Sequence, residues 1–117
     1  MLRFWRATIN SWNGLGFAIR SEQAVREEVV ALLLSVPAAW LIGATMMRRF
    51  ELVASVVLVL VIELLNTAIE KLADRLTTDH DPQIGRVKDL GSAAVGVALV
   101  VGTLFWLFAI AERIGAI

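Results

Sequence analysis

Long apolar runs dominate this chain and predict helices that cross a lipid bilayer. The stretch from Leu90 to Ala111 carries no charged residue over 22 positions, and the stretch from Val29 to Met47 carries none over 19. About 20 apolar residues span the roughly 30 Å hydrocarbon layer of a bilayer. A third run, residues 52–62, is interrupted by a glutamate but continues as a helix with one polar face. We therefore predict three membrane spans, over about residues 28–47, 52–75 and 88–112.

A more polar segment precedes the first predicted span. Apolar residues recur there at spacings of three to four with arginines between them, which is typical of an amphipathic helix lying in the membrane interface. The apolar residues are Leu2, Trp5, Ile9, Trp12 and Leu15, and the arginines are Arg3, Arg6 and Arg20. We predict this surface helix over about residues 1–27, and we expect residues 1–117 to form a single all-α domain.

Composition supports a membrane protein. Hydrophobic residues make up 58% of the chain, and the mean hydropathy is +0.74. One small soluble domain cannot bury that much apolar surface. Cysteine is absent, which excludes a disulfide framework and thiolate chemistry.

The distribution of basic residues predicts the orientation. With three spans, the N-terminal segment and the second loop lie on one side of the membrane, and the first loop and the C-terminus lie on the other. The first side carries Arg3, Arg6, Arg20, Arg26, Lys71, Arg75, Arg86 and Lys88, and the second carries Arg48, Arg49 and Arg113. By the positive-inside rule, the N-terminus and the 71–89 region are cytoplasmic, on the side where ATP is found.

A polar stripe interrupts the second predicted span. It consists of Glu63, Asn66, Glu70 and Asp74. At 100° per residue these side chains fall at about 0°, 300°, 340° and 20°, so they share one helix face. Each ionisable group at membrane depth costs roughly 2.5 to 3.5 kcal/mol on insertion scales, and such groups are functional by default.

The stripe and its flanks carry the chemistry of a phosphate site. Glu63 and Glu70, two turns apart, can supply a general base and a metal ligand, and Glu22 with Glu28 precedes the first span on the same predicted side. Mg²⁺ prefers one or two carboxylates together with phosphate oxygens. Lys88 and its neighbour Arg86 can bind phosphates, although no P-loop motif is present.

Structural interpretations stand beside these. A lone intramembrane glutamate serves about as often as a hydrogen-bonding partner in an oligomer as it does as a base. Glu22, Arg26 and Glu28 can form a solvated face with an ion pair four residues apart, and on the residues alone that reading is favoured. Lys88 can be a positive-inside anchor.

Two strings carry a family resemblance. ELLNTAIEKLADR in the second span and GRVKDLGSAAV at the start of the third resemble the small integral-membrane diacylglycerol kinases of bacteria. The resemblance covers essentially the whole chain, and it agrees with three spans, a surface helix and a length near 120 residues. It implies a homotrimeric bundle in the bacterial inner membrane, with active sites between subunits.

The resemblance also implies roles for individual residues. Glu63 matches the catalytic base that takes the proton from the primary hydroxyl of diacylglycerol as it attacks ATP, and Glu22 and Glu70 match carboxylates that hold Mg²⁺. The nucleotide-binding set is Arg3, Asn10, Glu22, Glu70, Lys88 and Asp89, and the substrate-binding or supporting set is Asn66, Ser92, Glu28 and Asp74. Asn10 stands where the family often has an aromatic residue, and the loop at 79–83 departs from the family pattern.

Three functions remain open. The favoured one is an ATP-dependent diacylglycerol kinase, which forms phosphatidic acid. A kinase for undecaprenol has the same fold and carboxylates, but the GRVKDLGSAAV string favours diacylglycerol. The third is a non-enzymatic oligomeric channel or proton relay built on the intramembrane carboxylates.

Overall fold

Four helices make up the whole chain in a computed structural model that describes residues 1–117. They are α1 (Leu2–Ser21), α2 (Gln23–Ile42), α3 (Met46–Leu76) and α4 (Pro82–Arg113), and no strand is present. The predicted all-α architecture is therefore confirmed.

The first helix ends earlier than predicted. Glu22 adopts an extended conformation, with φ −122° and ψ 117°, and separates α1 from α2. The guanidinium of Arg26 donates to the carbonyl oxygens of Ile19 and Arg20 at 2.9 and 3.1 Å. These bonds satisfy acceptors that the end of α1 leaves free. The surface helix predicted to about residue 27 therefore stops at Ser21, and the cluster around Glu28 begins the next helix.

The predicted connection at residues 48–51 is wrong, because those residues form the first turns of α3. The chain turns instead at residues 43–45, where the Thr45 hydroxyl caps α3 by accepting from the Arg48 backbone N–H at 3.1 Å. A side chain at Gly43 would lie 2.9 Å from the Ala39 carbonyl oxygen. Only glycine fits this close approach, and the uncharged Gly-Ala-Thr sequence gave no polar signal of a turn.

The loop before α4 ends at Asp81, which caps the helix. The Asp81 carboxylate accepts from the backbone N–H groups of Gln83 and Ile84 at 2.9 and 3.3 Å. Pro82 follows at the start of the helix, where its missing N–H costs nothing. Gly85 consequently lies inside α4 and does not interrupt it.

Two helices are long and apolar enough to cross a membrane. They are α3 and α4, whose most apolar stretches have mean hydropathies of 2.5 and 2.4. In α2, Arg26, Glu27 and Glu28 occupy the first turns, and the helix ends at Ile42. Its uncharged part, residues 29–42, rises about 21 Å at 1.5 Å per residue, which is short of a full hydrocarbon layer.

The helices pack around α3, which lies against both α2 and α4. A small core of Ala39, Leu52 and Ala109 joins these three helices. Only 14 of 117 residues are buried, while most large apolar side chains are exposed. The radius of gyration is 17.3 Å, against about 13 Å for a compact 100-residue domain. The apolar surface of a single chain therefore needs lipid or other protein to cover it.

Charged groups close the bundle at the end away from the α3–α4 loop. Arg48 donates to Glu51 at 2.7 Å and to Glu112 at 3.0 Å, and its guanidinium lies 4.7 Å from the centre of the Phe108 ring. Arg49 lies over the ring of Trp40 at 4.1 Å. Arg48 thus joins the start of α3 to the end of α4.

Candidate functional site

The polar stripe follows one side of α3 in its second half. Asn66 is buried, Glu63 and Glu70 are half-buried, and Asp74 is exposed. The Asn66 amide nitrogen donates to Glu70 Oε1 at 3.2 Å, one turn further along the helix. Glu63 and Glu70 stand about 10 Å apart along the axis. The hydrogen bond therefore joins two of the four stripe residues, Asn66 and Glu70.

Carboxylates from two other positions approach the stripe. The negative charges of Glu22, Glu28 and Glu70 all act on the carboxyl group of Glu63. Glu22 is the extended residue between α1 and α2, and Glu28 lies in the first turns of α2. Because the chain turns at residues 43–45, α2 and α3 pack against each other and the start of α2 lies beside the second half of α3. Four of the predicted site residues thus share one electrostatic environment.

Glu22 is held by a residue that the sequence analysis did not select. Lys71 Nζ lies 2.8 Å from Glu22 Oε1 and 5.0 Å from the centre of the Phe17 ring. Lys71 therefore ties the end of α1 to α3. The sequence marks Lys71 only as one of the basic residues predicted to be cytoplasmic, and its position next to Glu70 is the one feature that points to this contact.

Asn66 packs against α4 at a second unpredicted residue. Its Oδ1 atom is buried and has no hydrogen-bond partner. A Cβ atom at Gly91 would lie 2.1 Å from that oxygen, so the crossing of α3 and α4 requires glycine here. Gly91 belongs to the GRVKDLGSAAV string, but periodicity alone does not reveal which of its small residues faces Asn66.

Lys88 lies at the end of the stripe nearest the α3–α4 loop. Its ammonium group forms an ion pair with Asp74, which joins α3 to α4. The pair places one predicted nucleotide-binding residue beside the stripe and gives Asp74 a supporting contact.

Four predicted residues are not brought into contact with the carboxylates. Arg3, Asn10, Asp89 and Ser92 are exposed. Arg3 and Asn10 lie on α1, while Asp89 and Ser92 lie near the start of α4. Neither a hydrogen bond nor an ion pair joins these four side chains to the carboxylates.

The chain does not present a ready-made cage for a metal ion. No group of three or more histidine, aspartate or glutamate side chains is placed to hold one. Glu22 is engaged by Lys71, and Glu70 by Asn66. This donor set fits an ion that arrives with phosphate oxygens and takes one or two carboxylates from the protein, as Mg²⁺ does.

Two cavities open between the helices near the site. One of about 590 Å³ lies between α1 and α3, with Lys71, Ser11 and Thr67 in its wall among apolar side chains. A second, of about 270 Å³, lies among α2, α3 and α4 and contains Glu28 and Trp106. Both combine apolar walls with a few polar groups, which suits an amphiphilic ligand.

Comparison with known proteins gives a consistent result. A model of the family described as prokaryotic diacylglycerol kinase matches residues 9–110. The chain is 39% identical over 113 residues to a diacylglycerol kinase of Escherichia coli strain K12, covering 97% of this chain and 93% of that protein. Similar proteins of the same name occur in Pseudomonas aeruginosa, at 38% identity over 89% of this chain and 85% of the relative, and in Haemophilus influenzae, at 36% identity over 86% and 85%.

Proposed function

The chain belongs to the prokaryotic diacylglycerol kinase family, as its sequence predicted, and we propose that it phosphorylates the primary hydroxyl of diacylglycerol with ATP. The product is phosphatidic acid. Relatives named diacylglycerol kinase match across several bacteria and along most of their length, which supports a lipid kinase.

One observation carries the assignment of the chemistry. Glu63 lies in a membrane-length helix directly after the uncharged run of residues 52–62, half-buried, and the charges of three further glutamates act on it. We assign the reaction to this carboxyl group, where a lipid hydroxyl from the membrane and a nucleotide from the aqueous side can meet.

Glu63 acts as the general base. Its carboxylate takes the proton from the lipid hydroxyl while that oxygen bonds to the γ-phosphorus, and the bond from that phosphorus to the β,γ-bridging oxygen of ATP breaks to release ADP. Phosphoryl transfer depends mainly on positioning and on neutralising charge. The remaining site residues therefore orient the two substrates around Glu63.

Glu22 and Glu70 hold the divalent cation, which we assign as Mg²⁺. The ion neutralises charge on the nucleotide phosphates when bound. Two protein carboxylates are enough, because phosphate oxygens and water complete the coordination. Asn66 keeps Glu70 oriented through the 3.2 Å hydrogen bond, and Glu28 and Asp74 support the same region.

Basic and polar residues at the cytoplasmic surface bind the nucleotide. Lys88, held beside the stripe by Asp74, donates to phosphate oxygens, and Asp89 contacts the nucleotide beside it. Arg3 and Asn10 approach from the surface helix, and Ser92 supports the site from the first turns of α4.

The membrane arrangement follows from the same logic. We assign α3 and α4 as spans, α2 as a third and shorter span, and α1 as an amphipathic helix in the interface of the inner membrane. The single domain of residues 1–117 has its N-terminus in the cytoplasm, since eight of eleven basic residues lie on that side.

A homotrimer completes the site. The exposed apolar faces of one chain exceed what a monomeric protein normally shows. We assign the predicted residues that make no contact with the carboxylates in one chain to the site of a neighbouring copy. The assembly therefore forms three sites between subunits.

A two-lipid assay tests this proposal. The purified chain in lipid–detergent micelles is supplied with ATP and Mg²⁺, and either diacylglycerol or undecaprenol is offered. We expect phosphatidic acid from diacylglycerol, with transfer abolished by a chelator. Phosphorylation of undecaprenol alone would replace the substrate assignment, and absence of lipid-dependent ATP turnover would favour the channel or proton-relay alternative.

A further inference from the structure

Lys71 forms an ion pair with Glu22, the carboxylate that we assign as a ligand of the metal–nucleotide complex. Its ammonium lies 2.8 Å from Glu22 Oε1, and no other side chain of the protein makes an ion pair or hydrogen bond with that carboxylate. Lys71 is next in sequence to Glu70, the second proposed ligand. A cation of the chain thus sits where an external cation is expected.

The surrounding charges explain why a lysine is useful here. Glu22, Glu28 and Glu70 all act electrostatically on Glu63, so several carboxylates gather in a partly dehydrated region. Like charges close together destabilise a fold unless a cation compensates them. Lys71 supplies that compensation when no metal is bound.

We propose that Lys71 is a positioning residue that holds Glu22 in the nucleotide-free protein and is displaced from it by the metal–nucleotide complex. The proposal rests on the assignment of Glu22 as a ligand in the proposed function. Lys71 and the divalent cation then compete for one carboxylate, so Lys71 sets the Mg²⁺ concentration at which nucleotide binds.

Lys71 has a second contact, with the ring of Phe17, that does not depend on Glu22. Its ammonium is 5.0 Å from the centre of the Phe17 ring, which attracts a cation by a contact independent of Glu22. Lys71 also lines the cavity between α1 and α3. It can therefore leave Glu22 while it still bridges the two helices through Phe17.

The ion pair is weak enough to be displaced. Its side chains are 41% and 30% exposed, and ion pairs of that exposure are of modest strength because water screens them. A divalent ion with phosphate ligands therefore outcompetes the ammonium. The competition predicts a shift in Mg²⁺ dependence of up to about fivefold when the lysine is removed.

The test compares the wild type with three variants. Lys71→Met removes the charge and keeps the apolar stem, Lys71→Arg keeps the charge, and Arg75→Met removes an exposed cation without an ion pair from the same helix. Two quantities are measured without lipid substrate. One is the thermal unfolding midpoint, in chelator and in saturating Mg²⁺ with a non-hydrolysable ATP analogue, and the other is the Mg²⁺ concentration that half-saturates binding of that analogue.

If Lys71 and Mg²⁺ compete for Glu22, the effect of Lys71→Met on the unfolding midpoint differs between the two conditions. Lys71→Met lowers the midpoint in chelator, loses little or nothing with Mg²⁺ and nucleotide, and needs up to about fivefold less Mg²⁺ for half-saturation. Lys71→Arg and Arg75→Met behave like the wild type. If Lys71→Met lowers the midpoint equally in both conditions and leaves the Mg²⁺ dependence unchanged, Lys71 only stabilises the fold and the proposal is overturned.

An increased Mg²⁺ requirement in Lys71→Met would also overturn it, because Lys71 would then assist the metal complex. Because binding is measured without lipid, failure of the proposed function is recognised separately. A wild type that binds the Mg²⁺–nucleotide complex but phosphorylates no lipid would refute the kinase assignment, while the competition is still decided by the same titration.

Discussion

Asn66 and Gly91 meet so closely at the crossing of α3 and α4 that no other residue fits opposite the amide. A Cβ at Gly91 would stand 2.1 Å from Asn66 Oδ1, and the opposite end of the same amide holds Glu70. The packing of two helices therefore sets the orientation of a proposed metal ligand. The buried Asn66 Oδ1 has no hydrogen-bond partner. It therefore packs closely against Gly91, but no hydrogen bond offsets the cost of burying it.

The substitution Gly91→Ala should disturb both packing and activity. The added methyl group forces the Asn66 side chain away and breaks its bond to Glu70. Overpacking of this kind costs about 1–3 kcal/mol, which should lower the thermal unfolding midpoint and the lipid phosphorylation rate. Gly96→Ala on the same helix is the matched control, because a Cβ there meets nothing within 4 Å. Equal behaviour of the two variants would show that Gly91 does not position Asn66.

The stability of the chain should also depend on the N-terminal cap of α4. Asp81 accepts two backbone hydrogen bonds from the first turn of the helix, so Asp81→Ala should lower the free energy of unfolding by about 0.5–2 kcal/mol. Asp79→Ala in the same loop is the control, since the Asp79 side chain makes no such contact and only its backbone N–H is bonded, to Thr77. Chemical or thermal unfolding in micelles measures both, and a larger loss in Asp79→Ala would contradict the cap assignment.

The ion pairs of Arg48 should affect stability without affecting chemistry. Arg48 connects Glu51 and Glu112 across the end of the bundle remote from the stripe. Arg48→Met should lower the unfolding midpoint and leave the KM for ATP unchanged. Arg113→Met removes an exposed arginine of the same end and should change neither. A raised KM for ATP in Arg48→Met would indicate that the nucleotide binds near Arg48 and not near Lys88.

The sequence predicted the features that depend on local pattern. Apolar run length indicated α4 as a membrane-length helix, whereas α3 was predicted from a shorter run that continues with one polar face. The uncharged run at 29–47 did not form a helix of that length, because α2 ends at Ile42. Helical periodicity placed Glu63 and Glu70 on one face. The turn at Gly43 was missed because its neighbours are uncharged, so hydropathy continued across it. The bend at Glu22 was also missed, since nothing in the local pattern distinguishes an extended glutamate from a helical one.

Contacts between helices could not be predicted from the local sequence pattern. The approach of Glu22 and Glu28 to Glu63 depends on how α2 folds back along α3. The pairing of Lys71 with Glu22 depends on the same packing of α2 against α3. The family resemblance supplied the roles of the carboxylates, but a resemblance names positions and does not specify which neighbours hold them in place.

Glu63→Gln is the decisive substitution for the chemistry. The amide keeps the shape of the side chain but cannot accept the proton of the lipid hydroxyl, and loss of a general base typically costs about 10²- to 10⁴-fold in rate. We expect kcat for diacylglycerol to fall by that range while nucleotide affinity is retained, because Glu63 is not assigned to the metal. Glu51→Gln, about 18 Å away along the same helix, should keep its kcat. Wild-type turnover in Glu63→Gln would remove the base assignment, whereas a loss confined to nucleotide affinity would move Glu63 among the metal ligands.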